Sequence, residues 1–262
     1  MGVALVGVVY VSVLTPHASP GPEIEFAEMA GEQVVTRLVR IPAQGATRED
    51  PGTPPTTPAG LREIAVASVL NQAAAEAMGG GQVQAMGYAS TTSGCATGFD
   101  AETTLLRHVS HEWGVPVAGT SSSAVDALRA FDVQRLTLVH PPWFDEELNA
   151  LGAAYFQDQG FTVLGSASAD LPNDPSLIRP GAVIDWVSRQ VGDEAEAVVI
   201  GGNGFRAARA IDALERRLGC LVIESNQALL WSILSQVHAG VEIQGYGRLL
   251  RSSPPPSGQS PV

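Results

Sequence analysis

The sequence contains a long internal repeat. The segment from Trp113 to Ser121 aligns with the segment from Leu218 to Asn226 at a constant offset of 105 residues. An Ala/Leu-rich helix is predicted after each copy. Two copies of a βα unit of this size can each bury a sheet, which favours two similar lobes over a solenoid. The repeat therefore predicts an α/β fold with two pseudo-symmetric, doubly wound lobes, parallel sheets and an inter-lobe cleft.

The predicted lobes span residues 1–125 and 126–250, and a disordered tail rich in Ser and Pro is predicted over 251–262. Apolar runs and amphipathic stretches predict the secondary structure. Strands are predicted near 3–14, 34–41, 83–89, 115–118, 135–139, 161–165, 196–201 and 220–223. Helices are predicted near 61–78, 99–113, 121–130, 144–159, 176–191, 204–218 and 226–237. The Pro-rich segment 42–58 is predicted to be a long surface loop.

Two short loops have the features of an anion-binding site. They are Gly87–Gly94 and Ile200–Arg206, and each closes an apolar strand and opens a helix. Small residues let the backbone approach a ligand closely, and the unpaired N–H groups of the following helix point towards negative charge. In doubly wound sheets, ligands bind at the carboxyl ends of strands. The two loops therefore predict an anion-binding site in the cleft.

Net charge and apolar patterning limit the classes of binding partner and the expected location. A formal net charge of −12 disfavours nucleic acid and an anionic membrane surface, because no basic stripe is present. The apolar start, residues 2–14, lacks a basic leader and is too short to cross a bilayer, so it is interpreted as a buried strand. With no other apolar run of spanning length, a cytoplasmic protein is expected. A small anionic substrate stays compatible with the acidity, since local donors decide its binding.

These residues resemble a known family. The segment Tyr88–Gly94 is similar to the Tyr-Ala-Cys-Thr-Ser-Gly loop of the aspartate/glutamate/hydantoin racemase superfamily, on the branch with maleate cis-trans isomerases and arylmalonate decarboxylase. Leu218–Trp231 resembles the second-lobe segment of that branch, and the Pro142-Trp143 turn resembles its Thr-Pro-Tyr turn. The resemblance implies a cofactor-independent, metal-free reaction at the cleft, with one thiol from each lobe facing the substrate α-carbon. It also implies a homodimer or higher homo-oligomer.

The chain departs from this pattern at both thiols. Ser90 stands at the first cysteine position, and the second falls at Gly202, beside Asn203. The two-thiol mechanism is therefore not carried over. Loop hydroxyls and amides are expected to bind a carboxylate or a developing enolate, with turn capping and a tight turn as the alternatives. The predicted substrate-binding residues are Thr91, Thr92, Trp143, Gly202 and Asn203.

The predicted catalytic residues are His17, Ser90 and Cys95. Imidazole moves protons near neutral pH, and His17 ends the first strand, where the resemblance implies a substrate contact; a surface-loop histidine is the alternative. Cys95 is placed near a helix start, where the helix dipole would favour the thiolate. The leading hypothesis is a maleate isomerase-like or arylmalonate decarboxylase-like enzyme acting on a small dicarboxylic or α-carbonyl acid. The alternative is a catalytically silent relative that binds a small carboxylate as a sensor or carrier.

Overall fold

The computed structural model describes residues 7–16, 20–42 and 55–251. The first half contains a four-stranded parallel sheet with strands β1 (Val9–Thr15), β2 (Val34–Arg40), β3 (Ala85–Tyr88) and β4 (Val117–Gly119), in the order β2-β1-β3-β4. β-Branched residues dominate β1, whose side chains are nearly all buried. This composition suits a central parallel strand covered on both faces.

The second half repeats this arrangement. Its parallel sheet contains β5 (Arg135–His140), β6 (Thr162–Ser168), β7 (Ala197–Ile200) and β8 (Leu221–Glu224), in the order β6-β5-β7-β8. A register shift between Leu136 and Thr137 bends the pairing of β5 with β6. The predicted α/β fold with two similar parallel sheets is confirmed.

Helices connect the strands. In the first half they are α1 (Pro22–Ala30), α2 (Pro58–Ile64), α3 (Ala67–Gly79), α4 (Thr91–Thr97), α5 (Phe99–Trp113) and α6 (Thr120–Ala130). In the second half they are α7 (Glu146–Gln157), α8 (Pro180–Gln190), α9 (Ile211–Leu218) and α10 (Ser225–Gln236).

Four helical regions differ from the sequence-based prediction. Helices α1 and α4 were not predicted, the stretch 61–78 is divided between α2 and α3, and α9 begins only at Ile211. Helix α4 has seven residues rich in Thr, Ser and Gly, a composition typical of a loop. Its first turn is stabilised by the side chain of Ser90, which accepts a hydrogen bond from Ser93 N.

The structure confirms the internal repeat. Gly114 and Gly219, which are 105 residues apart, end α5 and α9 in the same way, with left-handed backbones at φ 65° and 72°. Each glycine leads into the last strand of its sheet. Glycine adopts this conformation without the steric cost that a Cβ atom brings.

Several helices pack the two halves against each other, among them α4 against α7 and α1 against α10. Helix α10 packs against α6 and also against β3 and β4 of the first sheet, while α6 contacts β8 of the second. Over β3, a Cβ atom at Gly87 would lie 2.9 Å from Ile233 Cδ1 and 3.2 Å from Leu229 Cδ2. The predicted lobe boundary at 125/126 falls inside α6, so the division into lobes stays a prediction.

Some predictions fall on residues outside the described ranges. They concern His17, the start of the first strand over residues 3–6, most of the surface loop 42–58, and residues 252–262 of the predicted tail. Within the described ranges, no helix is both long and apolar enough to cross a membrane.

Candidate active site

The two glycine-rich loops occupy equivalent places in the two sheets. Strand register pairs Leu14 with Tyr88 in the first sheet and Val139 with Ile200 in the second. Counting forward from Tyr88 and Ile200 makes three pairs of positions equivalent: Ala89 and Gly201, Ser90 and Gly202, and Thr91 and Asn203. The two positions where the resemblance implies cysteines are therefore related by the internal pseudo-symmetry.

The loops meet directly at Thr91 and Asn203. The Oδ1 atom of Asn203 accepts hydrogen bonds from the amide N and the Oγ1 of Thr91, both at 3.2 Å. The amide N of Gly202 donates to Thr91 Oγ1 at 3.2 Å. Two equivalent hydroxyls complete the contact: Thr120 Oγ1 accepts from Asn203 Nδ2 at 3.1 Å, and Ser225 Oγ lies 3.1 Å from Thr91 Oγ1. We call these five residues the loop junction.

The loop junction is nearly closed to solvent. Asn203 is fully buried and Thr91 is 9% exposed. Thr92, which follows Thr91 outside the junction, is 7% exposed. Thr120 and Ser225 are anchored in the same way, because each donates to the carbonyl of the last residue of a central strand, Tyr88 and Ile200 respectively. The same hydroxyl contact therefore occurs twice, once in each half.

Ser90 has a local structural role. Its hydroxyl accepts from Ser93 N at 3.3 Å and donates to Ser93 Oγ at 2.7 Å, and the residue is fully buried. This is the capping role that the sequence left open as an alternative. Ser93, the hydrogen-bond partner of the Ser90 hydroxyl, is not a base that could activate a nucleophile.

Gly202 has no room for a side chain. Its φ of +89° lies in the left-handed region, and a Cβ atom there would overlap Pro141 Cγ. Nearby, Trp143 is 38% exposed and its ring meets Phe205 edge-on, with centroids 6.2 Å apart. Trp143 therefore contacts the second loop at a solvent-accessible position.

The comparisons identify the family. The arylmalonate decarboxylase family model matches residues 57–250. The chain belongs to the arylmalonate decarboxylase family. The arylmalonate decarboxylase of Bordetella bronchiseptica is 25% identical over 145 residues, which are 53% of this chain and 60% of that protein. The maleate isomerase of Nocardia farcinica (strain IFM 10152) is 28% identical over 138 residues, which are 52% of this chain and 54% of that protein. In both cases, the match spans less than two thirds of the relative.

Solved structures share the fold. A maleate isomerase from Pseudomonas putida S16 superposes with a TM-score of 0.78 at 17% identity, covering 94% of this chain and 99% of that chain. A Nocardia farcinica maleate cis-trans isomerase mutant with a covalently bound succinylcysteine intermediate superposes with a TM-score of 0.75 at 20% identity, covering 94% and 99%. Both comparisons agree with the two-sheet architecture of the family.

Cys95 differs from the sequence-based expectation. It is the fifth residue of α4, and its Sγ lies 3.8 Å from Ser121 Oγ. Burial, with a smaller contribution from Glu102, raises the pKa of the thiol to about 12. The expectation that the helix dipole favours the thiolate is wrong, because loss of hydration outweighs a dipole that acts mainly within the first turn.

A small cavity lies beside this thiol. Its volume is about 20 Å³, and its walls include Cys95, Thr91 and His140. The Nε2 of His140 lies 2.9 Å from Ser166 Oγ, and burial lowers the pKa of the imidazole to about 4. His140 is therefore neutral at pH 7.

Sequence reasoning missed a buried carboxyl group beside the loop junction. Glu25 of α1 is 1% exposed, and it accepts hydrogen bonds from Asn226 Nδ2 at 2.5 Å and from Ala208 N at 2.8 Å. Burial is the main cause that raises its pKa to about 7. Asn226 lies in the repeat, but nothing in the sequence pairs it with a residue 201 positions away.

The described residues show no metal centre: no group of three or more His, Cys, Asp or Glu side chains there could hold a metal ion.

Proposed function

We propose that this protein is an enzyme that acts on a small dicarboxylic or α-carbonyl acid, by isomerisation or by decarboxylation with reprotonation, without the usual cysteine pair. Membership of the arylmalonate decarboxylase family supports the reaction class. The single observation that carries the proposal is the meeting of Thr91 and Asn203 at the carboxyl ends of both sheets.

The loop junction supports carboxylate binding. The neutral Oδ1 of Asn203 accepts from both donors of Thr91 at 3.2 Å, which is long for hydrogen bonds of these types. A carboxylate oxygen is a stronger acceptor and forms shorter bonds with the same donors. We infer that a substrate carboxylate takes the place of Asn203 Oδ1 beside Thr91, and that Thr92 borders the same position. The Trp143 ring is the proposed wall beside the substrate.

The residues at both cysteine positions favour an enediolate route. Covalent addition to a double bond needs a thiolate, and Ser90 and Gly202 supply none. In decarboxylation, the bond between the α-carbon and one carboxylate breaks, CO₂ leaves, and the electron pair forms an enediolate. Preorganised donors in a site of low dielectric stabilise this charge strongly. A proton then moves to the α-carbon.

The proton source is proposed to be His17, a bound water or Cys95. His17 lies outside the described residues. Burial raises the pKa of Cys95 to about 12, so the residue is a thiol at neutral pH, and we propose it as a proton donor and not as a nucleophile. We expect His17→Ala to lower kcat far more than it raises KM. Unchanged turnover in this variant would remove His17 from the reaction.

A substrate panel tests the proposed function. Maleate, arylmalonates, aspartate and hydantoins are each incubated with the protein in deuterated water and followed by NMR. We expect deuterium at the α-carbon, or CO₂ release, for at least one acid. Thr91→Val should abolish this reaction because it removes a donor hydroxyl, whereas Thr103→Val, a matched change on α5, should keep it. Thermal stabilisation by a carboxylate without turnover would contradict catalysis and favour the alternative, a sensor or carrier.

We also propose a cytoplasmic homodimer or higher homo-oligomer. The family resemblance supports the assembly, and the composition supports the location. Light scattering should give a multiple of the chain mass of 27.3 kDa, and a fluorescent fusion should distribute through the cytoplasm. A monomeric mass at micromolar concentration would overturn the assembly.

A further inference from the structure

Glu25 connects the first half to the loop junction through one carboxamide. One carboxylate oxygen accepts from Ala208 N at 2.8 Å, and the other accepts from Asn226 Nδ2 at 2.5 Å. Asn226 Nδ2 also donates to the backbone carbonyl of Asn203 at 2.9 Å. Asn226 and Asn203 are both fully buried, so water does not compete for these bonds.

The identity of the donors and acceptors determines the orientation of both carboxamides. The end of Asn226 that faces Glu25 also faces a backbone carbonyl, and both partners are acceptors, so this end must be the NH₂ group. Its Oδ1 therefore faces Asn203, whose Nδ2 donates to it at 2.8 Å. Asn203 Oδ1 is then left to face the N–H and O–H of Thr91.

We propose that Glu25 is a positioning residue, whose carboxylate orients Asn226 and, through it, presents Asn203 Oδ1 to Thr91. The inference rests on the proposed function, in which the loop junction binds a substrate carboxylate. Glu25 touches none of the residues proposed to contact the substrate, and its hydrogen bond to Asn226 links it to the loop junction.

Burial and, to a smaller extent, the surrounding charges determine the pH at which Glu25 ionises. The carboxyl neighbours are Glu28 on α1 and Glu224 at the start of α10. Arg206 ends the second loop, Arg209 follows it, and Tyr246 lies nearby. Burial, together with the proximity of Glu25, raises the pKa of Glu224 well above its usual range. Because the pKa of Glu25 is about 7, its ionised form dominates above that pH. Protonation places an O–H donor against the Asn226 NH₂ group and weakens its orientation.

Side-chain amide NMR tests the positioning directly. Protein labelled with ¹⁵N at asparagine is titrated from pH 6 to pH 8.5, with the Asn203 signal identified by its loss in Asn203→Ser. In the wild type, we expect the Asn203 NH₂ resonances to shift with a midpoint near pH 7. In Glu25→Gln the shift should disappear, and KM for the substrate found by the panel should fall, because a mispositioned Asn203 Oδ1 competes less with the substrate carboxylate for the donors of Thr91. The control is Glu28→Gln on the same helix. Glu28 pairs with the exposed Arg209 at 2.6 Å and does not touch Asn226, so this variant should keep the shift.

Two outcomes would overturn the inference. The first is an Asn203 signal that does not move with pH in the wild type, which decides the question even if Glu25→Gln fails to fold. The second is a shift that persists in folded Glu25→Gln. If the wild type converts no acid in the panel, the proposed function fails, while the NMR titration still decides the positioning role.

Discussion

Gly202 lies where the family resemblance implies the second thiol. Its backbone is left-handed, and Pro141 occupies the space of a Cβ atom. Ser90, the equivalent position, holds a side chain but uses it to cap α4. The cost of restoring a thiol therefore differs between the two halves.

We expect Gly202→Cys to lower the free energy of unfolding by about 2–4 kcal/mol, because backbone strain and overpacking add. Gly160→Cys is the matched control: Gly160 has a φ of +88°, but nothing lies within 4 Å of its Cβ position. Gly160→Cys should lower the free energy of unfolding by about 1 kcal/mol, from backbone strain alone. Urea denaturation measures the free energy of unfolding of both variants. Equal decreases would show that Pro141 moves to accommodate the new side chain.

The Glu102 carboxyl group makes stability depend on pH. Glu102 is 2% exposed, Tyr155 OH donates to one oxygen, and Oε1 has no hydrogen-bond partner among the described residues. Burial raises its pKa from 4.5 to about 7. A raised acid pKa means that the folded state binds the proton more tightly than the unfolded state. The stabilisation is therefore full below about pH 4.5 and is lost as the pH rises through 7.

This shift corresponds to roughly 3 kcal/mol between pH 4.5 and pH 8. We expect urea midpoints to fall over that range in the wild type and to fall less in Glu102→Gln, which cannot ionise. Glu25 contributes in the same direction, so part of the slope should remain. An unchanged slope in Glu102→Gln would contradict the assignment.

At the scale of elements, the packing of α10 against β3 depends on a glycine in that strand. A Cβ atom at Gly87 of β3 would lie 2.9 Å from Ile233 Cδ1, closer than ordinary contact. We expect Gly87→Val to lower the free energy of unfolding by about 1–3 kcal/mol, because the core becomes overpacked. Ile233→Val, combined with it, should recover part of the loss by making room. Additive losses in the double variant, measured by urea denaturation, would contradict direct contact.

The element pattern also shows what sequence reasoning can and cannot reach. β-Branched runs predicted the strands, and the parallel-sheet rule placed both loops at strand carboxyl ends. Helix α4 was missed because Thr, Ser and Gly favour turns, and its helical form depends on the buried cap at Ser90. The contact between Thr91 and Asn203, and the bond from Glu25 to Asn226, depend on chain segments 112 and 201 residues apart. No local pattern encodes such distances.

At the scale of the whole molecule, the two sheets are linked through α6 and α10. Each of these helices contacts the other half, and buried hydrogen bonds join the loops between them. We expect a single cooperative unfolding transition. Trp113 on α5 reports on the first half and Trp186 on α8 on the second, so single-tryptophan variants should give coincident urea midpoints. Separated midpoints would show that the halves are independent.

The position of α10 has a consequence for synthesis on the ribosome. Leu229 and Ile233 cover β3, yet they follow it by more than 140 residues. Synthesis proceeds at about 5–20 residues per second, so the apolar surface of the first sheet stays uncovered by α10 for roughly 7–30 s. During that interval, we expect the emerging chain to be a client of ribosome-associated chaperones, until α10 has been synthesised.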